Sequence, residues 1–260
     1  MTNSLVVSGF NIFGLEIRFY GILMALGFVL AFLICRKLLK TRGFKPDIVF
    51  DLLLIIFPMS IIGARLYYVI FSGRAWSFVE ILRVWDGGLA IYGGITGGFL
   101  GALIYALIKK INILELTDAI AVGLILAQGI GRIGCYTAGC CYGVEVTNAS
   151  LQWFPFSVLI DGTWHYATFF YEAIWNILGF ILLWFVYNKF KQRALTTGAY
   201  LCYYGFGRFF IEGLRGDSLY IGALRVSQLL SIILFVVGCS LIVYSFLRKR
   251  QIMNEQKSKT

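Results

Sequence analysis

Long apolar runs alternate with short polar clusters along this chain. The runs lie near 15–35, 48–71, 88–108, 113–130, 167–187, 198–212 and 224–247. A helix needs ~20 mostly apolar residues to cross the ~30 Å hydrocarbon core of a bilayer, so the pattern predicts an all-α polytopic membrane protein of about seven transmembrane helices. The clusters between the runs, at 36–45, 109–110, 189–193 and 248–250, are rich in Lys and Arg. An odd number of passes puts the termini on opposite sides, and one orientation brings all four clusters to the cytoplasm, where short loops carry excess Lys and Arg. The N-terminus is therefore expected outside and the C-terminus in the cytoplasm. Residues 1–250 read as a single transmembrane domain and 251–260 as a polar cytoplasmic tail. The opening stretch, MTNSLVVSGFNIFGLEIRF, has no basic region before its first apolar run and is not expected to be a cleaved signal.

Composition supports the same class: 59% of residues are hydrophobic, only 14% are charged, and the mean hydropathy is +0.81. The formal net charge of +10 would suit a nucleic-acid binder, but the placement of the charges argues against one. Fifteen of the 23 Lys and Arg fall in the expected cytoplasmic clusters and tail, and the other eight are all arginines: Arg18, Arg65, Arg74, Arg83, Arg132, Arg208, Arg215 and Arg225. Arginine presents a planar fork of donors matched to phosphate, which points to a lipid-phosphate site. For Arg74 and Arg83, in the expected outer loop 72–87, headgroup contact or pairing with Glu80 or Asp86 is sufficient reason. Arg65, Arg132 and Arg208 fall inside apolar or glycine-rich segments, where an ionisable group is costly and function is the default expectation.

The glycines cluster as well. Gly94, Gly97, Gly98 and Gly101 have the spacing of a close helix–helix contact. The stretch GRIGCYTAGCCYG, ending at Gly143, has too few aliphatic residues for a spanning helix. The fourth span is expected to end or break near 130, leaving Arg132 in a glycine loop able to cradle an anion.

That stretch resembles the signature of the bacterial prolipoprotein diacylglyceryl transferases, Gly-Arg-x-Gly-Asn-Phe-x-Asn-x-Glu-x-x-Gly, with Gly131, Arg132, Gly134 and Gly143 aligned without a gap. Other blocks are similar to the family's and stand in its order: Phe19-Tyr20-Gly21, Gly63-Ala64-Arg65-Leu66, WDGGLAIYGG ending at Gly94, TFFYEA ending at Ala173, and YGFGRFFIEGLR ending at Arg215. Ser227-Gln228-Leu229-Leu230-Ser231 follows at the start of the last span. The departures are Cys135 and Ala138 in place of the two Asn, Cys140 in place of Glu, and Tyr92 where the family often has His.

The resemblance implies transfer of the diacylglyceryl group of phosphatidylglycerol to the lipobox cysteine thiol of a prolipoprotein in the bacterial inner membrane, forming a thioether and releasing glycerol phosphate. It implies phosphatidylglycerol, the prolipoprotein and membrane lipids as partners, and no cofactor. In that chemistry Arg132, Arg208 and Arg65 would neutralise the departing phosphate. Tyr20, Tyr92 and Tyr204 would orient the glycerol carbon and phosphate oxygens. Glu212, one helical turn after Arg208, would hold that guanidinium. Gly131, Gly134, Gly143 and Arg215 would complete the lipid site.

Three readings stay open for Cys135, Cys140 and Cys141: small packing residues, a direct catalytic or acceptor-binding role, or a metal site shared with the single histidine, His165. No metal is expected, because adjacent cysteines ordinarily diverge and the usual Cys-x-x-Cys spacing is missing. Two competing functions are a related glycerolipid-group transferase with another acceptor and an anion or lipid transporter, since intramembrane arginines also mark transport sites.

Overall fold

The computed structural model describes residues 9–258 apart from 13–14, 46, 217–219 and 222–223. Residues 1–8, on which the reading of the chain's opening partly rests, and 259–260 of the tail lie outside the described residues. Among the described residues the chain forms eight α-helices: α1 (Phe19–Thr41), α2 (Ile48–Phe71), α3 (Phe78–Leu82), α4 (Ile91–Lys109), α5 (Ile113–Thr137), α6 (Thr168–Lys189), α7 (Leu195–Gly213) and α8 (Val226–Lys257). Among the described residues there are also three short antiparallel hairpins: β1–β2 (Gly9–Ile12, Leu15–Arg18) before α1, β3–β4 (Ser157–Ile160, Thr163–Tyr166) between α5 and α6, and β5–β6 (Tyr220–Ile221, Leu224–Arg225) between α7 and α8.

Each of the seven expected spans falls on a helix, and six of these helices are long and apolar enough to cross a bilayer. The other is α7, whose 19 residues include both Arg208 and Glu212. Burial is inverted relative to a water-soluble domain. Phe185 and Val236 are 55% and 56% exposed, whereas Asp118 and Asn176 are 0% and Glu212 is 2%. Apolar side chains facing outward and polar ones facing inward are what a hydrocarbon solvent selects.

Three boundaries differ from the sequence reading. Residues 15–18 pair with 9–12 as a hairpin, so the first helix starts at Phe19. The tail continues α8 as an exposed helix through Lys257. Most consequential, α5 does not break near 130: it stays helical through Thr137, carrying Gly131, Arg132, Gly134 and Cys135 as helical residues. Glycine lowers helix propensity by only ~1 kcal/mol, and here the missing side chains admit a neighbour. A Cβ on Gly134 would stand 3.1 Å from Tyr20 Cδ2, and one on Gly131 3.0 Å from Met24 Sδ, both on α1.

The contacts divide the chain into two compact units, Arg36–Leu116 and the remainder. In Arg36–Leu116, α2 and α4 pack through small residues. A Cβ on Gly97 would lie 2.2 Å from the Met59 carbonyl, and one on Gly63 2.4 Å from that of Gly93. The expected close packing of Gly97, Gly98 and Gly101 is thus against α2, and all three are buried. In the other unit, Gly198, Gly205 and Gly238 let α7 and α8 approach at backbone distance, and Gly207 accommodates the Trp175 indole of α6. The buried Asp118 of α5 serves the start of α7: its carboxylate accepts hydrogen bonds from the Ala194 and Thr197 N–H groups at 3.0 and 2.8 Å. A carboxylate at a helix N-terminus satisfies orphan amides and opposes the helix dipole.

Candidate active site

Arg132 reaches the site from α5, Glu172 from the first turns of α6, and Arg208 and Glu212 from the last turns of α7. Glu172 is the sole acidic residue in α6. Its Oε1 lies 2.9 Å from Arg132 Nη2 and its Oε2 2.8 Å from Arg208 Nη1. Arg208 Nη2 is in turn 2.7 Å from Glu212 Oε2, one helical turn further along α7. The result is a chain of alternating charge, Arg132–Glu172–Arg208–Glu212, in which both carboxylates are nearly inaccessible, with side-chain exposures of 4% and 3%. The guanidiniums remain partly open, at 23% for Arg132 and 15% for Arg208. Buried ions tolerate such a setting only when paired. The pairing leaves each arginine with donors to spare out of its five N–H groups.

Around this chain stand Tyr204, which hydrogen-bonds Arg132 and stacks on Tyr200 with ring centroids 5.8 Å apart, and Arg225, which donates to the Glu212 carbonyl. Arg215 follows on the strand-like segment after α7, bridged to Gly143. Gly143 is needed there for close approach: a Cβ would meet the Leu214 carbonyl at 2.6 Å and Thr168 Cγ2 at 2.9 Å.

The Cys-rich segment begins where α5 ends. Gly139 adopts φ +60°, its N–H bonds the Tyr136 carbonyl at 3.2 Å, and the Cys140 N–H bonds the Cys135 carbonyl at 3.1 Å. These paired bonds form a Schellman cap, which folds the residue after the left-handed one back over the last helical turn. Cys141, itself left-handed at φ +62°, follows, and its carbonyl accepts from the buried Thr168 hydroxyl at 2.7 Å. Contrary to the expectation that adjacent cysteines diverge, the three sulfurs converge to within 4.8 Å of one another, and all are free thiols.

Arg132 Nη1 lies 3.6 Å from Cys141 Sγ, tying the thiols to the charged chain. A hydrogen bond from Cys135, followed by the positive charges of Arg132 and Arg215, holds the Cys141 thiol below its ordinary value. Burial, then the neighbouring Cys141, pushes Cys140 upward. Tyr20 of α1 borders the same group, with the three thiols and Arg132 among its electrostatic neighbours.

Of the residues singled out from sequence, Arg132, Arg208, Glu212, Tyr204, Tyr20, Arg215, Gly131, Gly134, Gly143 and the three cysteines all belong to one unit. Arg65 and Tyr92 belong to the other. Arg65 is 5% exposed and directs its donors to carbonyls of α3 and of the segment that follows it: Nε to Ile81 at 3.0 Å and Nη2 to Glu80 at 2.5 Å, both within α3, and Nη1 to Gly87 at 2.6 Å and Gly88 at 3.2 Å. Tyr92 packs near Tyr67, with ring centroids 6.3 Å apart. His165 places Nδ1 3.0 Å from the Gly143 carbonyl and its ring against Tyr142, so it does not join the sulfurs. Glu172 was missing from the sequence-derived site. The available signal was a lone carboxylate within an apolar span, the same criterion that singled out the arginines.

A family model described as prolipoprotein diacylglyceryl transferase matches residues 8–244. The chain is 40% identical over 245 residues to a Listeria welshimeri protein named phosphatidylglycerol–prolipoprotein diacylglyceryl transferase, covering 90% of this chain and 87% of that one. It is 41% identical over 241 residues to a Clostridium perfringens protein of the same name, numbered 1, with 90% and 92% covered. A Streptococcus agalactiae relative of that name is 40% identical over 237 residues, with 88% and 91% covered. With a match over most of its length and relatives at this identity, the chain belongs to the prolipoprotein diacylglyceryl transferase family.

Proposed function

We propose that this protein transfers the diacylglyceryl group of phosphatidylglycerol to the lipobox cysteine thiol of a prolipoprotein, releasing glycerol phosphate. The observation that carries the reading is the pair of arginines, Arg132 and Arg208, anchored on one buried carboxylate with the thiol cluster beside them. In the reaction a thiolate attacks the glycerol carbon, a C–S bond forms, the C–O bond to phosphate breaks, and the electron pair leaves on the phosphate. Charge then accumulates on the departing oxygen. Two guanidiniums held in place beforehand stabilise it without reorganisation, a contribution that removal of one such donor ordinarily reveals as 10²–10³-fold in rate. Glu172 and Glu212 position the guanidiniums, and Tyr204 and Tyr20 orient the glycerol phosphate. Gly134 and Gly143 permit the close packing that fixes the site, and Gly131 faces the flexible Met24 side chain of α1. Arg65 ties α3 to the segment before α4.

The protein sits in the bacterial inner membrane with its N-terminus outside and its C-terminus in the cytoplasm, an orientation supported by the basic clusters between spans. The deciding experiment supplies purified protein with phosphatidylglycerol and a lipobox peptide and detects thioether formation. Arg132→Ala and Arg208→Ala are expected to lose about 10²-fold or more while remaining folded. Arg132→Lys is expected to be poor as well, since an ammonium cannot span Glu172 and Cys141 together. Undiminished transfer by both alanine variants would sink the reading.

A further inference from the structure

We propose that Cys135, Cys140 and Cys141 form a binding site for zinc(II), three thiolate ligands with the fourth position open to an exchangeable ligand. Sequence spacing argued against any metal because neighbouring side chains ordinarily point apart. The backbone removes that objection. The Schellman cap carries Cys140 back over Cys135, through bonds of 3.1 and 3.2 Å, and the left-handed Cys141 turns its side chain to the same side. The sulfurs already lie within 4.8 Å of one another. A zinc ion with Zn–S bonds of ~2.3 Å requires sulfurs ~3.8 Å apart in a tetrahedron, so rotations moving each by about an ångström close the site.

The surroundings suit a charged metal centre. The segment is pinned by the Thr168 hydroxyl on the Cys141 carbonyl and packed against Val158, Ala167 and Phe169. Three thiolates around a dication carry a net negative charge, which Arg132 at 3.6 Å from Cys141 Sγ and the nearby Arg215 offset. All-sulfur ligation selects a thiophilic ion over magnesium, calcium or manganese. Among the described residues no histidine, carboxylate or fourth cysteine joins the group. Structural zinc sites are closed by four protein ligands, whereas reactive ones keep a position open.

Building on the transferase reading, the fourth ligand is the acceptor thiol. Its sulfur displaces a zinc-bound water and its proton passes to solvent. The zinc-bound thiolate then attacks the glycerol carbon as the C–O bond to phosphate breaks, and the zinc returns to its starting state with no change in oxidation number.

The test uses the full-length protein purified in detergent without chelator from zinc-supplemented cells. Elemental analysis should find about one zinc per chain. It should fall to background in Cys140→Ser with Cys141→Ser, and persist when Cys35, Cys202 and Cys239 are replaced by Ser. In cobalt-substituted protein, a lipobox peptide should shift the visible bands, and the same peptide with Ser in place of Cys should not. Zinc-free protein that still transfers the diacylglyceryl group would overturn the metal site and leave the transferase reading intact. Bound zinc with no transfer and no peptide shift would keep the three-cysteine site, overturn the fourth-ligand role and count against the transferase reading. Copper in place of zinc, or zinc retained by the double variant, would overturn the assignment.

Discussion

Arg208 Nη1 lies 2.8 Å from Glu172 Oε2, and the second oxygen of that carboxylate takes Arg132 at 2.9 Å. One side chain on α6 therefore sets the separation of two guanidiniums on α5 and α7. A carboxylate with both oxygens engaged cannot shift toward one arginine without loosening the other.

Glu172→Ala is expected to destabilise the protein by about 3–5 kcal/mol, the usual cost of leaving partners of a buried ion pair uncompensated. Glu172→Gln keeps the shape and removes the charge, and should lower transfer at least tenfold with a smaller drop in melting temperature. Thermal unfolding in detergent and transfer assays on the two variants check this. A Gln variant with native activity would show that positioning by charge is unnecessary.

Arg65 makes four hydrogen bonds to main-chain carbonyls, two in α3 and two in the segment between α3 and α4. Each charged hydrogen bond contributes about 1.5–3 kcal/mol, so Arg65→Ala should release that segment and expose it to protease. Arg65→Lys should rescue little, since one ammonium cannot serve carbonyls lying on two sides of a guanidinium. Limited proteolysis followed by mapping of the cleavage points decides it; cleavage between 72 and 90 is expected, and protection equal to the parent protein would contradict it.

Asp118 is fully buried and accepts from two main-chain amides at the start of α7 and from the Thr197 hydroxyl at 2.9 Å. Asp118→Ala leaves those donors without their acceptor, and a loss of about 1–3 kcal/mol is expected. The melting temperature should drop more for Asp118→Ala than for Thr197→Val, which removes only the hydroxyl's bonds to Asp118 and Thr117 and leaves the main-chain amides their acceptor.

Two glycines of the signature should respond differently to one added methyl. Gly143→Ala drives a Cβ to 2.6 Å from a main-chain oxygen that has no room to retreat, and should destabilise by about 1–3 kcal/mol. Gly131→Ala meets only the Met24 sulfur at 3.0 Å, the end of a flexible side chain, and should be tolerated. Equal stabilities of the two variants, read by thermal unfolding, would refute the distinction.

The apolar runs by themselves determined that this is a helical membrane protein and where its helices lie, because the length of a bilayer-crossing helix is fixed by the thickness of the hydrocarbon and leaves its mark in linear order. Counting charges in apolar segments was enough to mark Arg132 and Arg208, and helical periodicity placed Glu212 beside Arg208. Local pattern misjudged GRIGCYTAGCCYG: glycines that weaken an isolated helix are accommodated in α5 because α1 packs where their side chains would be. The role of Arg65 was equally invisible, since its partners are carbonyls, which carry no sequence identity. Glu172 as a bridge between α5 and α7, and three sulfurs turned toward one point by a helix cap and a left-handed residue, depend on backbone directions and on contacts between helices far apart in the chain. Those only the tertiary structure decided.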